Sequence, residues 1–292
     1  MTADPEALFD AVTGWYAGAA RDLPWRRADA TPWAVMVSEV MLQQTPVARV
    51  LPAYQNWLAR WPKPSDLAAS ASGDAVRAWD RLGYPRRALR LHAAAVACVE
   101  RHGGEVPCEY AELRALPGIG DYTAAAVAAF AFGRRHPVLD TNVRRVIGRV
   151  VSGVAAPGQS VTVAERSLAA SLLPDDGTLA ARLSVGLMEL GALVCAARNP
   201  KCAVCPMTAT CAWRLAGAPV TAARRPAQKY EGTDRQARGR LLAVLRDSDG
   251  PVPRRRLDAA WPDATQRMRA LDGLVADGLV EPLARDRFRL PR

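Results

Sequence analysis

Four cysteines, Cys195, Cys202, Cys205 and Cys211, follow the spacing C-x6-C-x2-C-x5-C, and the last three share a short loop with Pro200 and Pro206. Four thiolates gathered in this way can hold a [4Fe–4S] cluster or a tetrahedral zinc ion. Zinc ribbons usually pair two C-x2-C knuckles, and only one such pair exists here, so the spacing favours the cluster over zinc or free thiols. Cys98 and Cys108 stand far from this group and read as small buried apolar side chains.

Two carboxyl groups invite a second kind of chemistry. Glu39 has Val35, Met36 and Leu42 at i−4, i−3 and i+3, so on a helix it sits on an apolar ridge. A carboxylate there is costly to ionise, its pKa should rise, and a general acid at neutral pH results. The plainer reading is a Glu paired with a buried Arg. Asp140 precedes an Arg-rich stretch and reads as a helix N-cap, with Arg144, Arg145 and Arg149 forming either a solvated face or phosphate contacts. Before it lies Leu116-Pro117-Gly118-Ile119-Gly120, a turn between two helical segments, with Asp121 as the expected N-cap of the next helix. Glycine amides beside a helix N-terminus can grip a phosphate, the helix-hairpin-helix pattern, with Gly118, Gly120 and Thr123 as the expected contacts. An ordinary helix-joining turn is the alternative. One protonated and one ionised carboxyl suit cleavage of a glycosidic bond through an oxocarbenium-like state.

The elements that must position these groups are almost all helical. Helices are expected from Pro32 to about Thr45, from a Ser72 cap to Gly83, and over about 86–101. A Thr162–Glu165 capping box should open another, and a long apolar helix should cover about 178–194. A composition break falls at Arg224-Arg225-Pro226. Two short helices, Arg238–Arg246 and Pro253–Trp261, a longer one, Asp263–Asp277, and an alternating stretch, Val280–Leu290, then suggest a small winged-helix unit. Net charge is +10 with 39 Lys plus Arg, which suggests a polyanionic partner such as nucleic acid. No apolar run of about twenty residues occurs, and the acidic start lacks a signal-peptide pattern, so a cytoplasmic, nucleoid-associated monomer with no membrane partner is expected.

With these residues in place, the chain resembles the helix-hairpin-helix, Gly/Pro…Asp superfamily of base-excision glycosylases, and within it the MutY-type adenine glycosylases. The resemblance spans roughly residues 8–220 and rests on L-P-W-R (23–26), S-E-V-M-L-Q-Q-T (38–45), L-G-Y (82–84), L-P-G-I-G-D-Y-T-A (116–124), L-D-T-N-V (139–143), M-E-L-G-A (188–192) and the four cysteines. It implies an all-α, two-lobed fold with a [4Fe–4S] loop and a small C-terminal winged-helix-like unit. The implied domains are 1–24 with 134–222, then 25–133, then a linker and tail over 223–292.

The implied activity is hydrolysis of adenine from A·8-oxoguanine or A·G mismatches in double-stranded DNA. Glu39 then protonates the leaving base and Asp140 steadies the sugar cation, with Tyr122 and Asn142 beside them. Arg26, Trp25 and Glu189 hold the flipped adenine, Gln44 and Tyr84 enter the base stack, and Thr45 meets the opposing 8-oxoguanine. Bifunctional relatives such as endonuclease III carry a Lys where Tyr122 stands, so a monofunctional enzyme is implied. Two features depart from the pattern. Pro85 replaces a second Tyr after L-G-Y, and the tail from about residue 226 is too short for the usual Nudix-like domain. The competing readings are a thymine glycosylase acting on T·G mismatches and a non-catalytic iron–sulfur DNA-binding regulator.

Overall fold

The computed structural model describes residues 4–219 and 230–292. In chain order the helices are α1 (Pro5–Ala19), α2 (Pro32–Leu42), α3 (Val47–Arg60), α4 (Pro64–Ala68), α5 (Ser72–Ala78), α6 (Arg86–Arg101), α7 (Tyr110–Ala115) and α8 (Asp121–Phe132). They continue as α9 (Thr141–Val150), α10 (Val163–Ser171), α11 (Gly177–Leu193), α12 (Ala212–Leu215), α13 (Asp234–Arg246), α14 (Arg254–Asp258) and α15 (Ala264–Ala276). Among the described residues, no helix is long and apolar enough to cross a membrane. The mostly-α class matches the expectation.

Two compact units emerge. The first comprises the described residues of Met1–Val35, Cys108–Arg114 and Gly120–Arg224; the second those of Met36–Pro107, Ala115–Ile119 and Arg225–Arg292. The division differs from the expected one: residues 25–35, residues 108–114 and helix α8 fall with the cysteine-bearing unit, and the tail falls with the central helices. The expected linker around Arg224-Arg225-Pro226 lies outside the described residues.

In the first unit, α11 packs on α1 and α9 around Leu8, Val12, Val146, Leu183, Leu187 and Leu190. Small residues permit the close approach: a Cβ on Gly191 would lie 2.6 Å from the Asn142 Cβ. Asp176 caps α11 through the Leu179 N–H, and Thr162 and Glu165 cap α10 reciprocally, as expected. Two expected caps differ. The N-cap of α8 is Gly120, because the Asp121 carboxylate, already inside the helix, accepts from Arg114 at 2.5 Å and Tyr110 at 3.2 Å. The N-cap of α5 is Ala71, and the Ser72 hydroxyl instead donates to the Arg292 carbonyl.

The second unit is built around indole rings. Trp57 meets Trp61 and Trp79 edge-on, with centroids 4.8 and 5.7 Å apart, and all three are sealed from solvent. The tail packs into this unit. Helices α13–α15 are followed by β2 (Glu281–Leu283) and β3 (Arg287–Arg289). With β1 (Val252–Pro253) the strands form an antiparallel sheet of order β1-β3-β2, the winged-helix arrangement expected. The Gly73 N–H donates to the Pro291 carbonyl at 2.8 Å, Arg246 Nε to the Val76 carbonyl at 3.0 Å, and Arg86 pairs with Asp277 at 3.2 Å.

Candidate functional site

Helix α2 is apolar on every side within the core: Val35, Met36, Val37, Val40 and Met41 are all at most 4% exposed. Glu39 lies among them at 4% exposure, as the ridge pattern predicts. The helix reads into Gln43-Gln44-Thr45. Gln44 is exposed and adopts φ +55°, while Thr45 is 6% exposed. The Thr45 hydroxyl donates to the Gln43 carbonyl at 3.2 Å and accepts from Arg87 at 3.0 Å. The Thr45 side chain, expected to meet an opposing base, here faces inward and ties the loop. Tyr84, in the same unit, is 53% exposed with φ +48°.

The hairpin turn has the expected form in part. Gly118 and Gly120 are exposed and Ile119 is buried between them. Gly118 has φ +77°, and a Cβ there would meet the Arg90 side chain at 2.5 Å, so glycine is required twice over. Thr123, also expected at the phosphate, is 2% exposed on the inner face of α8, whereas the two hairpin glycines are exposed.

Asp140 caps α9. Its carboxylate accepts from the Val143 N–H at 2.6 Å and from the Asn142 amide at 2.8 Å. Burial pushes this carboxyl above its ordinary range, against the pull of those donors and of Arg145. Asn142 is fixed in turn, since its Oδ1 accepts from Arg145 at 2.7 Å. Tyr122 is half-buried at the start of α8 against Ala125, Ala126 and Val138.

Glu189, on α11, is 1% exposed and meets Arg26 at 3.4 Å. Its stronger partner is one that the sequence did not reveal. Arg21 grips both carboxylate oxygens, Nε to Oε1 at 2.5 Å and Nη2 to Oε2 at 2.9 Å. Burial alone would raise the Glu189 pKa, but Arg21 and Arg26 hold it below the usual range. Trp25 is buried beside Arg26 in a short 3-10 turn, Pro24–Arg26.

The four cysteines line a single cavity with Val146, Arg149, Leu190, Val194 and Trp213. Among the described residues no group of three or more His, Cys, Asp or Glu side chains is placed to hold a metal ion. Burial pushes the Cys205 thiol up, and the three other sulfurs add to the shift, so the four are electrostatic neighbours. Four sulfurs are chemically suited to a soft metal group only once deprotonated.

The arginines of α9 turn inward, two of them toward the Cys195 segment, which corrects the expectation of a solvated or phosphate-binding face. Arg144, Arg145 and Arg149 are all at most 8% exposed. Arg145 donates to the Cys195 and Gly191 carbonyls at 2.7 Å each, and Arg149 to the Cys195 sulfur at 3.3 Å and the Ala196 carbonyl at 2.9 Å. Arg144 pairs with Glu165 at 2.8 Å. Of the other two cysteines, Cys98 is fully buried as expected, and burial pushes its thiol to about 11. Cys108 is only half-buried, beside Glu109 and Arg134, which corrects its expected burial.

An all-helical body with a glycine hairpin, buried acids and a four-cysteine cavity defines a helix-hairpin-helix protein equipped for chemistry as well as binding. Residues 37–167 match the HhH-GPD superfamily base excision DNA repair proteins. An adenine DNA glycosylase of Mycolicibacterium smegmatis is 52% identical over 280 residues, covering 96% of this chain and 94% of that one. A thymine/uracil-DNA glycosylase of Pyrobaculum aerophilum is 37% identical over 201 residues, covering 68% and 87%. The solved structure of a thermostable thymine-DNA glycosylase superposes with a TM-score of 0.64 at 26% identity, covering 73% of this chain and 97% of that one. The chain belongs to the HhH-GPD superfamily of base excision DNA repair proteins.

Proposed function

We infer that this protein is a DNA glycosylase that hydrolyses the bond between adenine and its deoxyribose, acting on adenine opposite 8-oxoguanine or guanine in double-stranded DNA. The observation that carries this reading is the chemical contrast between two carboxyls: Glu39 sealed in an apolar helix, and Asp140 held by two donors at a helix start. Glu39, in its protonated form, delivers a proton to the departing base. Asp140, with its anion supported by Val143 and Asn142, steadies the positive sugar until water adds.

Arg26, Trp25 and Glu189 receive the extruded base, and the exposed Gln44 and Tyr84 enter the space that it leaves. Gly118 and Gly120 grip a backbone phosphate. Tyr122 supplies no amine for attack on the sugar, so the enzyme releases base without cutting the strand. Cys195, Cys202, Cys205 and Cys211 hold a [4Fe–4S] cluster, whose role here is to fix the loop that they share.

Adenine is favoured over thymine by the greater identity to the adenine-specific relative and by the buried Glu189 carboxylate with its partners Arg21 and Arg26. The test is single-turnover base release on A·8-oxoguanine, A·G and T·G duplexes with the intact chain and with Glu39→Gln. The variant should bind duplex and release nothing. Surviving turnover in Glu39→Gln, or faster release of thymine than adenine, overturns the reading, and a protein that binds but never releases base is the non-catalytic regulator.

A further inference from the structure

Gln44 and Tyr84 share an uncommon feature: both are non-glycine residues in the left-handed region, φ +55° and +48°. Each such residue costs roughly 1 kcal/mol or more and persists where its surroundings over-determine it. One side chain does this for both. Arg87, at the start of α6, is 6% exposed and reaches into the space between the 43–45 and 82–84 loops.

The contacts of Arg87 fall on both loops. Nη1 donates to the carbonyls of Val40 at 2.9 Å, Met41 at 3.1 Å and Gln43 at 2.7 Å. Nη2 donates to the Thr45 hydroxyl at 3.0 Å, the Gly83 carbonyl at 3.1 Å and the Leu82 carbonyl at 3.5 Å. The guanidinium also faces the rings of Trp79 at 5.0 Å and Tyr84 at 5.6 Å. Trp79 holds the Gly83 carbonyl from its own side at 2.9 Å. The carbonyls of Val40 and Met41 belong to the last turn of α2, where no intrahelical donor remains, so the same cation caps the helix that carries Glu39. Burial lowers the Arg87 pKa only to about 10, so the charge persists at neutral pH. A lysine has three donors on one point and cannot span both loops.

We propose that Arg87 is a positioning residue for base extrusion, cross-linking the two loops so that Gln44 and Tyr84 stand in their bent conformations before DNA arrives. The proposal rests on the reading that these two side chains enter the base stack. Holding them beforehand removes an ordering cost from the extrusion step.

The experiment compares the intact enzyme, Arg87→Lys and Glu39→Gln, with 2-aminopurine beside the target adenine as an unstacking signal. Arg87→Lys should lose most of the fluorescence rise and about a hundredfold of the single-turnover rate on A·8-oxoguanine duplex. On a duplex with adenine opposite an abasic site, where extrusion is easier, the loss should shrink to about tenfold or less. A merely structural role would lower both rates alike and leave the fluorescence amplitude unchanged; that result overturns the proposal. Hydrogen exchange on the unaltered enzyme supplies a test that does not depend on a variant folding. The Thr45 and Leu82 amides should be protected without DNA, and exchange at unprotected rates sinks the idea. Glu39→Gln separates the two readings: it should keep the fluorescence rise and lose release. Turnover in Glu39→Gln defeats the glycosylase assignment, whereas unaltered behaviour of Arg87→Lys defeats only the role given to Arg87.

Discussion

Asp140 combines opposed demands in one side chain. Burial favours its neutral form, while Val143 and Asn142 are placed to support its anion. Its pKa is higher folded than unfolded, so the folded state binds more protons between the two values and stability falls as pH rises through that window. Asp140→Asn keeps an N-cap oxygen and abolishes this titration. Its melting temperature should therefore gain on that of the unaltered protein as pH rises above the ordinary carboxylate range, while base release falls by about a hundredfold or more. Melting curves from that range upward check the first part; a constant difference would show that Asp140 does not titrate abnormally. Glu189 presents the reverse case, a buried carboxylate kept ionised by two arginines. Arg21→Met should cost about 2 kcal/mol in urea unfolding, less than for a fully buried pair because Arg21 is 36% exposed.

At the scale of elements, the approach of α11 to α9 sets the position of Asn142, because Gly191 leaves space for nothing beyond hydrogen. Gly191→Ala should displace Asn142, loosen its hold on Asp140, and reduce base release by at least about tenfold with the hairpin turn unchanged. Single-turnover kinetics against duplex-binding affinity separates the two effects. Thr162→Ala, which removes half of the α10 capping box, should cost about 1 kcal/mol and leave catalysis alone.

Local signals of this kind were readable in the sequence. The Thr162–Glu165 pair, the Asp140 cap and the glycine hairpin each act over four residues or fewer, and the apolar ridge around Glu39 follows from helical periodicity. What could not be read depends on partners distant in the chain. Asp121 was drawn from its capping role by Arg114 and Tyr110, and the α9 arginines turned inward because carbonyls some fifty residues away, at Gly191 and Cys195, await donors. Arg21 and Arg87 gave no sign in their own neighbourhoods, since each acts on residues that only folding brings near.

Over the whole chain, the tail behaves as part of the second unit. Its contacts with α5 and α6 include Gly73–Pro291, Arg246–Val76 and Arg86–Asp277. Removing residues 225–292 should lower the melting temperature by several degrees, at roughly 3 °C per kcal/mol for a chain of this length. Scanning calorimetry of the shortened chain checks this, and an unchanged transition would show that the tail merely rides on the helices. The formal charge of +10 also overstates what a polyanion meets, because Arg87, Arg144, Arg145 and Arg149 are spent on interior carbonyls and carboxylates.

The uneven burial of the cysteines has a practical consequence. Cys98 is closed to alkylating reagents by its sealed site and weak acidity, and cluster-bound sulfurs would be consumed as ligands. Cys108, half-open just ahead of α7, is then the one handle on which a maleimide dye would settle. A singly labelled enzyme could thus be made without mutation, and its distance to a dye-bearing oligonucleotide followed by energy transfer as the hairpin takes hold.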